Sequence, residues 1–337
     1  MTRLFPRPLS FLLAALLLGA PAMPAQNAAM EKRLARALEL FPEADADKNG
    51  VLTLEEALGY VKENPALQSK LDAWMAGNKP SSATTAPAAP APATTAGMTT
   101  GPRLFVCAHS FMIYTSKLLP PLAAAANIAH QDAGKQMIGG SRVIQHWNLP
   151  DEKNEAKKAL KEGRVDVLTL SPHILLPDEG IDNFTKLGLD HNPNLRVLVQ
   201  ASWPAFDGFM DRCFLNEKRN ETTPESLKIM HDTFHSTWLH SLEEQVRALN
   251  TTAGKDVVKI IPVCDAVIAL RQHVCEGTAP GLTKQTDLFR DNLGHPQAPL
   301  AALVTYCHFA CIHQRSPVGL PVPEELKSNP KAEELNT

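Results

Sequence analysis

Neither sign of charge prevails in this chain: 33 lysines and arginines stand against 36 aspartates and glutamates, a net charge of −3. That balance lacks the basic footprint by which proteins hold nucleic-acid phosphates or an anionic membrane surface. Apolar runs of membrane-spanning length are also missing. The longest, Leu9 to Leu18, falls short of the ~20 residues a spanning helix needs, and no later stretch qualifies. No internal repeat marks a solenoid. Cysteine is sparse, at positions 107, 213, 264, 275, 307 and 311. Six cysteines allow fifteen pairings, and a domain of this size does not depend on any of them. Cys107 and Cys264 fall in strand-like apolar runs and read as buried thiols.

What is present begins with an export signal. Arg3 and Arg7 precede the apolar stretch, and small residues follow at Gly19, Ala20, Pro21 and Ala22. This predicts a signal peptide over 1–25, cleaved after Ala22 or Ala25, and a secreted or periplasmic protein with no membrane span once cleaved. There is no Arg-Arg pair, and no cysteine near the cleavage region to carry a lipid. A retained anchor is the competing reading, which the short apolar core opposes.

Residues 30–76 read as a small helical module: Leu34, Leu38 and Leu40, then Leu54, Ala57, Leu58 and Val61, then Leu67, Leu71 and Trp74 follow helical spacing. Residues 77–102 are mostly Pro, Ala, Thr and Ser without apolar period, a tether. From 103 to 320 the pattern alternates, ahead of a tail at 321–337. Strands are predicted at 103–109, 135–140, 165–171, 195–202 and 257–263. Helices are predicted at about 113–128, 152–163, 179–188, 223–250, 264–275 and 297–312. Alternation of this kind builds a parallel sheet with helices on both faces, an α/β domain whose sites lie beyond the carboxyl ends of its strands. Ser110, Gly139-Gly140, Ser171-Pro172-His173 and Ser202-Trp203 fall at those ends.

The helical module contains a twelve-residue calcium-loop pattern from Asp45 to Glu56. Asp45, Asp47 and Asn49 supply oxygens at positions 1, 3 and 5, and Gly50 permits the turn. The Val51 carbonyl serves position 7, Thr53 position 9, and Glu56 closes the shell with both oxygens. Leu52 takes the apolar slot between ligands. Ca2+ is the expected cofactor of this loop, and no second loop is found to pair with it. A solvated acidic loop without metal is the plainer alternative.

In the larger region, Ser110 ends the apolar run Leu104–Ser110, and far downstream stands Asp291-Asn-Leu-Gly-His295-Pro296. A serine hydroxyl becomes a competent nucleophile when an imidazole can take its proton. With Met137-Ile-Gly139-Gly140-Ser-Arg142 after the second predicted strand, these segments resemble the SGNH (GDSL-like) hydrolases over residues 103–320. The resemblance implies a flavodoxin-like three-layer α/β/α fold and ester hydrolysis without a catalytic metal. It implies Ser110 as nucleophile, His295 as general base and Asp291 as its orienting carboxylate. The oxyanion would be held by backbone N–H groups of Ser110 and of Gly139 or Gly140.

Three positions depart from the family pattern. Ala108-His109 replaces the Gly-Asp before the serine, and Phe111 follows it. One extra residue separates Asp291 from His295. The family's asparagine after the third strand is replaced by Ser171-Pro172-His173, leaving His173 as the third oxyanion donor, or Gln145 or Asn148 from the preceding loop. Plainer roles stay open: Ser110 as a helix cap, His295 as a surface histidine, and His109 as either pocket wall or packing.

Cys307, His308, Cys311 and His313 share a helix and offer a metal or, more plainly, a buried face. Asn183, Asn220 and Asn250 begin glycosylation-type triplets, and Trp203 and Trp238 are candidates for a sugar platform. The leading expectation is an exported ester hydrolase whose substrate is a small acyl ester, such as an O-acetyl group on carbohydrate, the substrate being implied by the resemblance and by export. The alternative is a non-catalytic extracellular calcium-dependent binding protein with a degenerate hydrolase domain.

Overall fold

The computed structural model describes Leu38, residues 45–53, Glu56, and residues 98–208 and 214–336. The expected signal peptide, most of the helices around the calcium loop, most of the tether and Cys213 lie outside these residues. Leu38 and Glu56 are helical. The chain divides into two compact units, one holding the 45–56 loop and the other the alternating region.

The larger unit is an α/β domain built on five parallel strands: β1 (Thr99–Ala108), β2 (Ile128–Met137), β3 (Val167–Leu170), β4 (Arg196–Gln200) and β5 (Val258–Ile261). Their spatial order is β2-β1-β3-β4-β5, one of the two common doubly wound orders, with the switch point between β1 and β3. Strands covered on both faces need unbroken apolar runs. Leu104 to Ala108 and all four residues of β3 are accordingly buried.

Helices α1 (Thr115–Ala125), α2 (Val143–Trp147), α3 (Glu155–Lys161) and α4 (Glu179–His191) connect the first four strands. A long excursion after β4 carries α5 (Pro224–Phe234), a π turn (His235–Leu239) and α6 (His240–Ala253). After β5 come α7 (Val263–Cys275) and α8 (Ala298–His313). Helix α8 packs on α1 and α7, while α4 packs on α2 and α3. The helices flank the sheet, consistent with a three-layer arrangement. No helix of the described residues is long and apolar enough to cross a membrane.

Three boundaries differ from expectation for physical reasons. Strand β1 begins at Thr99, inside the expected tether. Pro102 is tolerated there because the pairing with β3 starts only at Leu104, and the register with β2 shifts between Thr100 and Arg103. Strand β2 begins at Ile128 rather than 135, since it is an edge strand whose polar residues hide its period. The predicted helix over 223–250 is interrupted by the π turn at 235–239.

Candidate active site

β1 ends at Ala108, and the turn that follows carries Ser110 out at the carboxyl edge of the sheet. His109 shapes this turn from within. It is buried, its N–H donates to Ser171 Oγ at 2.9 Å, its Nδ1 accepts from the Phe111 N–H at 3.2 Å, and its Nε2 faces the Pro172 carbonyl at 3.3 Å. Those partners require a neutral ring with the proton on Nε2. Burial, then the neighbouring His173, pushes the His109 imidazole down to about 4. His109 is therefore a brace under Ser110. Ser110 is not a helix cap, because the N-cap of α1 is Tyr114.

The loop between α7 and α8 returns to the same edge. His295 Nε2 lies 2.8 Å from Ser110 Oγ, and His295 Nδ1 lies 2.7 Å from Asp291 Oδ2. With the Nδ1–H donating to the carboxylate, Nε2 is left as acceptor for the serine hydroxyl. The extra residue between Asp291 and His295 does not displace the carboxylate. Asp291 Oδ1 accepts from the N–H groups of both Gly294 and His295 at 3.1 Å, so one carboxyl oxygen shapes the turn and the other meets the ring. Gly294 absorbs the additional residue at φ +101°, where a side chain would be strained. Burial raises the Asp291 carboxyl, but the hydrogen bonds from His295 outweigh it and leave the group below its ordinary value.

The imidazole is packed as well as bonded. Phe111 meets His295 edge-on at 5.3 Å and stacks on Trp203 at 4.8 Å. Trp203 Nε1 donates to the Gly294 carbonyl at 3.0 Å. Trp203 is thus a core residue and no sugar platform, being 3% exposed.

Beneath the loop lies a cluster of buried charges that the sequence did not reveal. Arg219 donates to the carbonyls of Asp291 and Asn292, both at 2.9 Å, and pairs with Asp207 at 2.8 Å. Arg271 pairs with the other Asp207 oxygen at 2.6 Å and with Gln285 at 2.8 Å. Phe206 and Asp207 both adopt left-handed backbone, φ 52° and 55°, a strain of about 1–3 kcal/mol each. The Phe206 N–H to Leu293 carbonyl bond, 2.9 Å, and the two guanidiniums hold that conformation.

The expected oxyanion donors Gly139 and Gly140 follow the end of β2, the strand next to β1. Ile138 N–H bonds the Ala108 carbonyl at 3.2 Å, so the Gly139-Gly140 turn leaves the sheet beside His109-Ser110. The backbone N–H groups of Ser110, Gly139 and Gly140 donate to no other described residue. His173 stands beside His109, its ring edge-on at 6.1 Å and its carbonyl accepting from Trp238 Nε1 at 3.2 Å; no hydrogen bond joins it to Ser110. Burial, then Arg142, lowers its imidazole. Gln145 is spent on capping α2, accepting from Arg142 N at 2.8 Å, and Asn148 is the exposed cap at the other end of that helix.

In the smaller unit, Asp45 Oδ1 and Oδ2 accept from Asn49 N and Gly50 N, at 3.2 and 2.8 Å, and Asn49 Oδ1 accepts from Val51 N at 2.8 Å. Glu56 folds back over the loop. Its Oε2 accepts from the Thr53 N–H and hydroxyl at 2.9 and 2.5 Å, and its Oε1 from Ala46 N and Asp47 N at 3.2 and 3.4 Å. Carboxyl oxygens of Asp45, Asp47 and Glu56 come within 4.8 Å of one another, and Leu52 is buried. An all-oxygen set of this kind suits a hard cation. The 307–313 helix is different: His308 is buried and bonds Gln200 Oε1 at 2.7 Å, and burial raises the Cys307 and Cys311 thiols. Nothing there converges on a metal. Asn250, one of the triplet asparagines, spends its amide on Val257 and Val258.

No family model matches the sequence, and no curated protein does. Among solved structures the chain is similar to a DUF4886 family protein from Bacteroides uniformis ATCC 8492, at 16% identity and a TM-score of 0.42, over 70% of this chain and 93% of that one.

Proposed function

We propose that the larger unit is a serine ester hydrolase of the SGNH (GDSL-like) type, on a flavodoxin-like sheet. The observation that carries this reading is the hydrogen-bonded relay Ser110–His295–Asp291, at 2.8 and 2.7 Å. His295 takes the Ser110 proton as the oxygen attacks an ester carbonyl, and Asp291 stabilises the imidazolium that results. The tetrahedral oxyanion is received by the N–H groups of Ser110 and the Gly139-Gly140 turn, contacts of a kind worth about 3–4 kcal/mol when a donor is removed. The alkoxide leaves with the proton from His295. Water then attacks the acyl-serine by the reverse proton path and returns the free enzyme.

The substrate class is a small acyl ester, with O-acetyl groups on carbohydrate first among them, by analogy with the family and from the export signal. Asp45, Asp47, Asn49, the Val51 carbonyl, Thr53 and Glu56 hold Ca2+ in the smaller unit, apart from the catalytic chemistry. The protein acts outside the cytoplasm, secreted or periplasmic.

The test is hydrolysis of 4-nitrophenyl acetate together with fluorophosphonate labelling, on wild type, Ser110→Ala and His295→Ala. Labelling at Ser110 and turnover lost in both variants support the enzyme. A wild type no faster than the variants and unlabelled would leave a binding domain, the reading that the missing family asparagine favours.

A further inference from the structure

A second constellation lies at the β5 edge of the sheet, three strands along from β1, the strand that leads to Ser110. His231 and His235 sit one turn apart at the junction of α5 and the π turn, and Asp265 lies in the first turn of α7, just past β5. One ligand atom from each lies within 4.8 Å of the others. All three side chains are 37–38% exposed, so an ion could reach them from solvent.

We propose that His231, His235 and Asp265 form a binding site for Zn2+, with the fourth position open to water. The donor set is borderline-soft nitrogen with a single carboxylate, which suits zinc and does not suit calcium. Ligand bonds of about 2.0–2.1 Å in a tetrahedron put neighbouring donor atoms about 3.3 Å apart. His231 Nε2 stands 3.4 Å from Asp265 Oδ1 already. His235 Nε2 is hydrogen-bonded to the same oxygen at 2.6 Å. Zinc takes the place of the hydrogen between them, the neutral ring carrying its proton on Nδ1 instead, and the pair opens by about 0.7 Å through side-chain torsions.

Two further observations point to a ligand. His231 Nδ1 lies 3.3 Å from Asp232 Oδ1, and Asp232 is in turn paired with Lys228. A carboxylate on the far nitrogen fixes the tautomer that presents Nε2, the usual outer support of a metal-bound histidine. The π turn beginning at His235 is a rare backbone form that recurs at functional sites. Four residues apart on one helical face, the two imidazoles stand with centroids 4.1 Å apart. A bound ion would staple the excursion after β4 to the start of α7. That excursion also supplies Trp238, which bonds the carbonyl of His173, the neighbour of His109.

The experiment uses the full chain, stripped of metal and supplied with excess Ca2+ to fill the oxygen-donor loop. Zn2+ is titrated by calorimetry, and Co2+ by its visible absorption. One zinc per chain is expected, with a cobalt spectrum of tetrahedral intensity and a rise in unfolding temperature on zinc addition. His231→Ala and His235→Ala should each weaken binding at least ~100-fold and Asp232→Asn about 10–100-fold, while His191→Ala and Ser110→Ala leave it unchanged. Should His235→Ala fail to fold, Asp265→Asn keeps the shape and must still lose the cobalt spectrum. Absence of saturable zinc binding in wild type, or an affinity indifferent to His231→Ala and Asp265→Asn, overturns the site.

Discussion

Arg219 donates from Nη1 to the backbone carbonyl of Asp291 at 2.9 Å. A wholly buried cation thereby holds the loop whose carboxylate orients His295. The arrangement is stable only because Asp207 lies between Arg219 and Arg271, one anion shared by two guanidiniums. The ring of Phe289 lies near both guanidiniums, at 4.7 and 5.1 Å.

Charge counting in this cluster gives the first prediction. Asp207→Ala leaves two buried cations with no anion, whereas Arg219→Met leaves Asp207 still paired with Arg271. Breaking a buried pair by removing one partner costs about 3–5 kcal/mol. Urea unfolding should place Asp207→Ala at or beyond the top of that range and Arg219→Met below it. Equal losses, or the reverse order, would mean the cluster is not the shared-anion system described. Both variants should also lose fluorophosphonate labelling in the fraction that stays folded, because the Asp291 loop is released.

Gly294 offers a finer probe of the same loop. Its φ of +101° is costly for alanine, and a Cβ would stand 3.1 Å from Arg219 Nη2. Gly294→Ala should cost more than ~1 kcal/mol in unfolding free energy. It should also lower kcat more than it raises KM, since the change displaces His295 and not Ser110. A variant with wild-type kcat and stability would show that the turn relaxes freely.

How far the sequence carried the reading can be judged residue by residue. The serine, the histidine and their strand-end and loop settings were legible because apolar runs betray central strands, and sites gather at their carboxyl ends. The Asp291 question was settled only in three dimensions, since spacing along a loop does not fix where a carboxylate points. Arg219, Asp207 and Arg271 were invisible: in a sequence, a buried charge looks like a surface one until its partner, 64 residues from Asp207 in the case of Arg271, is brought to it. Strand β2 was misplaced because an edge strand with a polar face resembles a loop. His231 and His235 had a signal, two histidines four apart on a helix, but Asp265 had none.

Asp291→Asn tests the tautomer assignment. The amide keeps the shape of the loop, yet its nitrogen can donate to His295 Nδ1 and so place the imidazole proton on Nε2, facing Ser110. Activity on 4-nitrophenyl acetate should fall by up to about 10^4-fold, as in other serine–histidine–aspartate sites, with little change in unfolding temperature. Retention of more than a tenth of the wild-type rate would remove Asp291 from the relay.

Acid sensitivity follows from the buried histidines. Burial pushes His109 and His146 down to about 4 and His308 down to about 3, against about 6.5 in an unfolded chain. Between those values the unfolded state binds more protons than the native one, so stability is complete above pH ~6.5 and is lost as the pH falls. Each group contributes at most about 1.4 kcal/mol per pH unit in that window. His308→Gln removes one titrating ring while keeping an N–H for Gln200 Oε1, which His308 Nε2 now meets at 2.7 Å. Unfolding midpoints measured from pH 7.5 to 5.0 should therefore fall less steeply in His308→Gln than in wild type. Parallel curves for the two proteins would mean that His308 already carries its proton in the folded state, against its burial.

The proposed calcium loop yields a prediction that separates the two units. The two oxygens of Glu56 reach both ends of the loop, to Thr53 on one side and to Ala46 and Asp47 on the other. Glu56→Gln removes the charge and one acceptor while leaving the shape, and should weaken Ca2+ about tenfold or more in a calorimetric titration. Ester hydrolysis should not change, because the relay of Ser110, His295 and Asp291 is assembled wholly from the other unit. Parallel loss of calcium affinity and turnover would show that the loop acts on the larger unit, and would contradict their independence.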